Sequence, residues 1–313
     1  ALAASAARAE SPSGPAPHDF SANGGLAVFV DCHDFSEIAQ LADAGPWLVH
    51  CLYSDPQTVE NARDFQQARR IHGRVSADSM PTSGLPYLDN LVNLIVIGDL
   101  ARFGRGALNA NQIARCLAPR GQVHLPGSPH FATAATELTA AGLTRKNQPD
   151  GRQVFLKPYP PRMDEWTHYM HAADGNAVSR DSSVGVSRSL RWAAGPLWAR
   201  HHDFAPSVSA MVSARGRIFY IIDEAPPGIA NMPGRWFLVA RDAFNGILLW
   251  KRPIEEWGWT FWTATEVQTF NRQKTPSELT RRLVADGDRL YVTLGYNAPV
   301  SQIDSETGKI IQS

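Results

Sequence analysis

The chain has 313 residues, of which 43% are hydrophobic and 19% charged. That is enough to bury a substantial core in two domains, and it excludes a collagenous or wholly disordered protein. Lys and Arg number 30 against 30 Asp and Glu, so no global charge draws the chain to nucleic acid or an anionic membrane. The longest apolar stretch, residues 91–97, falls far short of the ~20 residues a membrane-spanning helix needs. Cys32, Cys51 and Cys116 form neither a CxxC pair nor a CxxCH haem site and read as buried thiols.

Residues 1–20 are Ala, Ser, Pro and Gly with few large apolar side chains, a composition that predicts a flexible leader. Its opening run, Ala-Leu-Ala-Ala-Ser-Ala-Ala, is like the small-residue end of a secretory signal, so export to a periplasmic or extracellular setting is expected. Residues 21–157 alternate apolar runs with helical stretches, the pattern of an α/β domain. Strands are predicted at 26–30, 47–52, 74–77 and 89–97, and helices at 37–43, 56–70 and 111–117. Asp55 followed by Pro56 and Glu60 gives the second helix an N-cap, a first-turn proline and an early acid. Pro119 and Gly121 read as a turn after the third helix.

The segment Lys157-Pro158-Tyr159-Pro160-Pro161 opens a Pro-rich linker over 158–190. Beyond it, at 191–313, short aromatic-rich strands are predicted at 211–212, 217–222, 236–240, 247–250, 289–294 and 300–303, an all-β array. An internal repeat runs through this half. Arg215-Gly216-Arg217-Ile218-Phe219-Tyr220 is echoed by Asp286-Gly287-Asp288-Arg289-Leu290-Tyr291. Asp242 and Gly246 recur as Asp304 and Gly308, both 62 residues on. The earlier copy carries an extra loop through Pro226, Pro227 and Gly228, as insertions between repeated strands do.

The run Ala240, Asp242, Gly246 and Trp250 matches the AxDxxxGxxxW docking pattern of pyrroloquinoline-quinone-type β-propellers. Asp holds a tight turn, Gly gives the backbone freedom to leave it, and Trp packs between neighbouring blades. In the second copy Gln302 and Gln312 replace Ala and Trp, so that junction is expected to be held differently. The first half resembles a class I methyltransferase, through residues 85–94 and 113–121. Together the halves resemble planctomycete-type proteins in which a methyltransferase-like domain precedes a quinoprotein-like propeller, with residues 164–169 and 194–198 as the propeller entry. A propeller closes on at least about four blades, so about two blades imply further blades beyond residue 313 or from a partner chain.

The methyltransferase resemblance implies S-adenosylmethionine against a glycine-rich turn after the first strand. Here Asp31, His33 and Phe35 hold the glycine positions, and their side chains are expected to occupy the pocket. Tyr53 stands where the second strand should end in an acid for the ribose, with Asp55 a substitute only if that strand end shifts. The domain is therefore expected to have kept its fold and lost its cofactor.

Other motifs weigh less. Gly104-Arg105-Gly106-Ala107-Leu108-Asn109 lacks the third glycine of GxGxxG and reads as a surface loop. His168, His171 and Asp174 would share one face of a helix and form a weak candidate metal set. Adjacent His201 and His202, beside Asp203, would point to opposite faces of a strand. Trp257, Trp259 and Phe261 would share one strand face with Trp262 on the other, beside Glu255 and Glu256; blade packing is the favoured reading over a sugar or quinone platform. These readings point to an exported, non-catalytic binding or assembly protein with no cofactor, partnered by a protein or by further blades. The alternative is a quinoprotein dehydrogenase with pyrroloquinoline quinone and calcium, oxidising alcohols or sugars.

Overall fold

A computed structural model describes residues 24–104, 106–126, 131–147, 153–186, 189–196, 207–226, 232–262 and 276–313. The leader readings and the His201-His202-Asp203 set lie outside the described residues. The first half is built on strands β1 (Gly25–Val30), β2 (Trp47–Tyr53), β3 (Val75–Ser79), β4 (Val92–Ile97), β5 (Leu117–Leu125), β6 (Thr144–Asn147) and β7 (Gln153–Leu156). They form one sheet in the order β3-β2-β1-β4-β5-β7-β6. The first five strands run parallel, and β7 is antiparallel to both β5 and β6. Every residue of β1 is buried, as a strand paired on both edges and covered on both faces requires.

Helices α1 (Phe35–Ala44) and α2 (Pro56–Ala68) cover one face, where Phe29, Val49, Cys51 and Tyr53 meet Ile38, Leu41 and Val59. Helices α3 (Ala110–Cys116) and α4 (Phe131–Ala140) cover the other, over Val28, Leu52, Ile95, Ile113, Leu138 and Phe155. Local chemistry sets the helix starts. Asp34 accepts from Ser36 N and Glu37 N, Asp55 from Thr58 N and Oγ1, and Asn109 from Gln112 N, each satisfying amides that the first turn leaves unpaired. Between β3 and β4 the connection is irregular, held to the sheet by Tyr87, whose hydroxyl meets His50 Nδ1 at 2.8 Å.

The expected turn at Pro119 and Gly121 is instead the first half of β5. A register shift against β4 between Val92 and Leu94 and a left-handed Arg120 (φ 68) absorb both residues as a bulge. β4 begins at Val92, three residues later than its apolar run suggests, because Asn90 takes a left-handed turn (φ 57).

The second half holds two four-stranded antiparallel meanders. The first comprises β8 (Val208–Ala214), β9 (Arg217–Asp223), β10 (Trp236–Asp242) and β11 (Leu248–Pro253); the second, β12 (Leu283–Asp286), β13 (Arg289–Thr293), β14 (Val300–Asp304) and β15 (Ile310–Gln312). One core joins them, with Val212, Phe219 and Leu238 packed together with Leu283, Leu290 and Ile303. The segment before them bridges both inner strands: Ser213 N of β8 donates to Trp166 O and Ala285 N of β12 to Thr167 O. No helix among the described residues is long and apolar enough to cross a membrane.

Candidate functional site

In a doubly wound sheet, ligands bind beyond the carboxyl ends of the parallel strands. At that rim Asp31, just after β1, is buried and left-handed (φ 48), the backbone conformation a glycine would adopt without strain. Its carboxylate is spent on the neighbouring strand end, accepting from Ser54 N and Ser54 Oγ, both at 2.7 Å. Gly98, after β4, packs so close that a Cβ there would lie 2.2 Å from Asp31 O. Asp31 N donates to Leu52 O and Gly98 N to Val30 O. The Asp31 side chain thereby ties the tip of β1 to β2, and its backbone packs against the tip of β4.

The other positions depart from the simple expectation of a pocket filled by side chains. His33 is exposed. Phe35 turns to the helix face, with ring centroids 6.1 Å from Tyr53 and 5.5 Å from Phe65. Tyr53 ends β2 as expected, but its ring is fully buried in the α1–α2 core, and burial drives its phenol far above the usual range. Asp55 is used as the cap of α2, where the bonds from Thr58 hold its carboxyl below the usual range. The residues present therefore do not fit an adenosyl cofactor: Tyr53 stands where an acid would take ribose hydroxyls, and Asp31, the buried acid at the rim among the described residues, is already satisfied.

At the opposite, amino end of the sheet the second half docks. Asp242, the acid of the docking pattern, accepts from Phe244 N at 2.8 Å and Asn245 N at 3.0 Å, the turn role the sequence assigns to it. It also accepts from Asn93 Nδ2 of β4 at 2.7 Å. Burial pushes its carboxyl up against the pull of those donors. Asn245 Nδ2 donates to Asn93 Oδ1 and to Leu91 O, and Ile247 packs on the first domain's core. Asn93 and Asn245 carry no motif signal; only the fold brings them together.

The pattern's tryptophan works between meanders. A Cβ on Gly308 (φ 69) would lie 2.7 Å from the Trp250 ring, and Trp250 Nε1 donates to Ser305 O at 3.0 Å. Asp304 holds that turn through Glu306 N, Thr307 N and Thr307 Oγ1. The same contacts recur one unit earlier: a Cβ on Gly246 (φ 75) would lie 2.5 Å from Trp192, whose Nε1 donates to Ala243 O at 3.0 Å. Trp192 makes this contact without the motif, since Val184 and Arg188 stand where the pattern has Asp and Gly. Ala240 is buried against β9 and β11, and Gln312, at the last tryptophan position, is exposed.

The histidine set is corrected. Residues 168–171 form a tight antiparallel bridge, not a helix, with His171 left-handed (φ 70). His171 Nε2 meets Asp164 Oδ2 at 2.7 Å, His168 Nδ1 meets Thr167 Oγ1, and Asp174 pairs with Arg180. Among the described residues no group of three His, Cys, Asp or Glu side chains gathers to hold a metal ion. The aromatic run is corrected too: Trp257 is buried in the core between the meanders, whereas Trp259–Trp262 is one helical turn with Phe261 exposed. Glu255 and Glu256 are exposed. The Gly104–Asn109 run sits in a turn before α3, with Asn109 as that helix's cap.

No protein-family model matches the chain, nor does any curated protein. Solved structures do match its first half. A Methanococcus maripaludis protein described as an S-adenosyl-L-methionine-dependent methyltransferase shares 13% identity over 45% of this chain and 81% of its own, with a TM-score of 0.38. A Galdieria sulphuraria protein described as a sarcosine dimethylglycine methyltransferase shares 11% over 44% and 80%, at 0.35. A Haloferax volcanii methyltransferase in complex with its Trm112 activator shares 15% over 44% and 84%, at 0.36. Values this low carry no function across. The fold assignment rests on the strand order: the first half has a Rossmann-like methyltransferase fold with a mixed seven-stranded sheet, and the second half is two antiparallel sheets.

Proposed function

We propose that this chain is a non-catalytic binding or assembly protein, in which a cofactor-free methyltransferase-like domain supports propeller-type blades in an exported setting. The observation that carries the reading is the Asp31–Ser54 clasp, which uses the buried acid at the carboxyl rim of the sheet to tie β1 to β2. Fold by itself assigns no activity, and the reading is supported by Asp31, His33 and Phe35 at the glycine positions and Tyr53 at the ribose position. The two equivalent tryptophan–glycine contacts, Trp192 on Gly246 and Trp250 on Gly308, support the blade reading and a role in protein contact.

Calorimetric titration of the full chain with S-adenosylmethionine tests it. No saturable heat is expected, and micromolar or tighter binding overturns the reading. The docking contacts equally suit a quinoprotein dehydrogenase. Reconstitution with pyrroloquinoline quinone and calcium, followed by dye reduction with alcohols or sugars, separates the two, and dye reduction would reverse the order of preference.

A further inference from the structure

The junction between the two halves encloses a cavity of about 250 Å³. Arg120 of β5 and Lys146 of β6 line it from one half, and Arg215 and Arg217, at the turn from β8 into β9, line it from the other. Like charges gathered around a small space raise one another's energy unless something negative answers them. Two carboxylates share the lining, and both are committed. Asp242 is bound by Asn93 Nδ2, Phe244 N and Asn245 N. Glu306 accepts from Arg217 Nη2 at 3.0 Å. Asp288 stands 3.6 Å from Arg120 Nη1 and 3.8 Å from Arg217 Nη1, too far for a hydrogen bond to either.

The cations are left with donors to spare. Arg217 Nη1 is buried and has no hydrogen-bond partner, a costly state for a guanidinium N–H. Burial, reinforced by Arg120 against the pull of Glu306, pushes the Arg217 guanidinium below its usual range. Lys146 and Arg215 have no ion-pair partner among the described residues.

We propose that this cavity binds a small dianionic phosphate group, either free orthophosphate or the phosphate of a monoester. Guanidinium forks take phosphate oxygens in pairs, and the unspent Arg217 Nη1 supplies an inner donor while Arg215 and Lys146 close over the exposed rim. A volume of this size, roughly that of eight waters, has room for a phosphate group or a small phosphate monoester. Because the four cations come from both halves, the bound anion also stiffens the junction.

The test is calorimetric titration of the full chain with sodium orthophosphate, and separately with glycerol phosphate, at fixed ionic strength, with thermal unfolding run alongside. A saturable one-to-one heat and a raised Tm are expected. Arg215→Gln and Lys146→Gln, both at the exposed rim, each weaken binding by roughly tenfold or more. Lys251→Gln, which breaks a pair with Glu224 outside the cavity, leaves binding unchanged. Tighter binding of the monoester assigns the site to a phosphorylated ligand, and binding of orthophosphate alone assigns it to the free ion. No saturable heat at millimolar orthophosphate, an affinity indifferent to both rim variants, or an equal loss in Lys251→Gln overturns the proposal.

Discussion

Asn93 Nδ2 lies 2.7 Å from Asp242 Oδ2, a bond between side chains 149 residues apart in sequence. The same asparagine accepts from Leu26 N and Asn245 Nδ2 through Oδ1, so one amide group secures β1, β4 and the turn after β10 together. Asn93→Ala leaves the buried Asp242 short of a donor and is expected to lower stability by about 2–3 kcal/mol. In a double-mutant cycle with Asn245→Ala, read by urea unfolding, a coupling of about 1 kcal/mol or more is expected. Additive losses would mean that the two side chains do not act as one junction.

The Asp31 clasp is tested at its acceptor. Asp31→Ala removes both bonds to Ser54 and keeps a side chain at φ 48, for an expected loss of about 2–4 kcal/mol. Asp31→Asn retains an acceptor for Ser54 N and should lose about half as much. Equal losses in the two, measured by denaturant midpoints, would show that charge rather than hydrogen bonding holds the strand tips.

Gly246 and Gly308 offer a matched pair. Alanine at either position places a Cβ inside the facing tryptophan ring and holds a left-handed backbone, so each change should destabilise by about 2 kcal/mol or more. Trp192→Ala and Trp250→Ala should likewise cost about 2–4 kcal/mol. The informative comparison is Gly308→Ala combined with Trp250→Ala, where removing the ring relieves the clash and the combined loss falls below the sum. Strict additivity in differential scanning calorimetry would place the ring elsewhere in solution.

Asp164 gives the entry segment a pH signature. Burial raises its carboxyl, but bonds from Arg180 N, His171 Nε2, Glu165 N and Ser179 Oγ outweigh it and hold the value at about 2, against an ordinary 3.8. A carboxyl lowered on folding stabilises the native state above its unfolded value, and that contribution fades as pH falls from about 4 to about 2. Asp164→Asn should flatten this part of the stability profile. An unchanged slope between those limits would exclude Asp164 as its source.

The thiols supply a simpler check. Cys32, Cys51 and Cys116 are buried and unpaired; burial pushes Cys51 up to about 12 and raises the other two. Thiolates are the reactive species, so intact-mass analysis after maleimide treatment at neutral pH should show no adduct in the native protein and three in urea. A native adduct would locate an opening of the core.

The elements legible in sequence are those fixed by local chemistry. β1 and β2 announce themselves as apolar runs, and α2 by Asp55 and Pro56, because capping acts within one turn. β5 was hidden by Pro119 and Gly121, whose local meaning is a turn; pairing with β4 overrides it through the bulge at Arg120. β12 and β15 are too short to signal without their sheet. The spacing of His168 and His171 imitates a helix, and the left-handed His171 makes a hairpin instead. At the candidate site, the lost glycines and the missing acid were readable from residue types, and the Asp31–Ser54 bond was not, since it depends on which strands are neighbours. Trp192 carries no sequence signal because its contact forms with Val184 and Arg188 at the positions where the other copy has Asp and Gly.

The hydrogen bonds that Asn93 and Leu91 make to the second half lie at the amino ends of the parallel strands. The far rim takes no part in those bonds. Outside the Asp31–Ser54 clasp, substitutions at that rim can accumulate without loosening the junction, and a patch free to vary on an unyielding support is the raw material from which a recognition face is made.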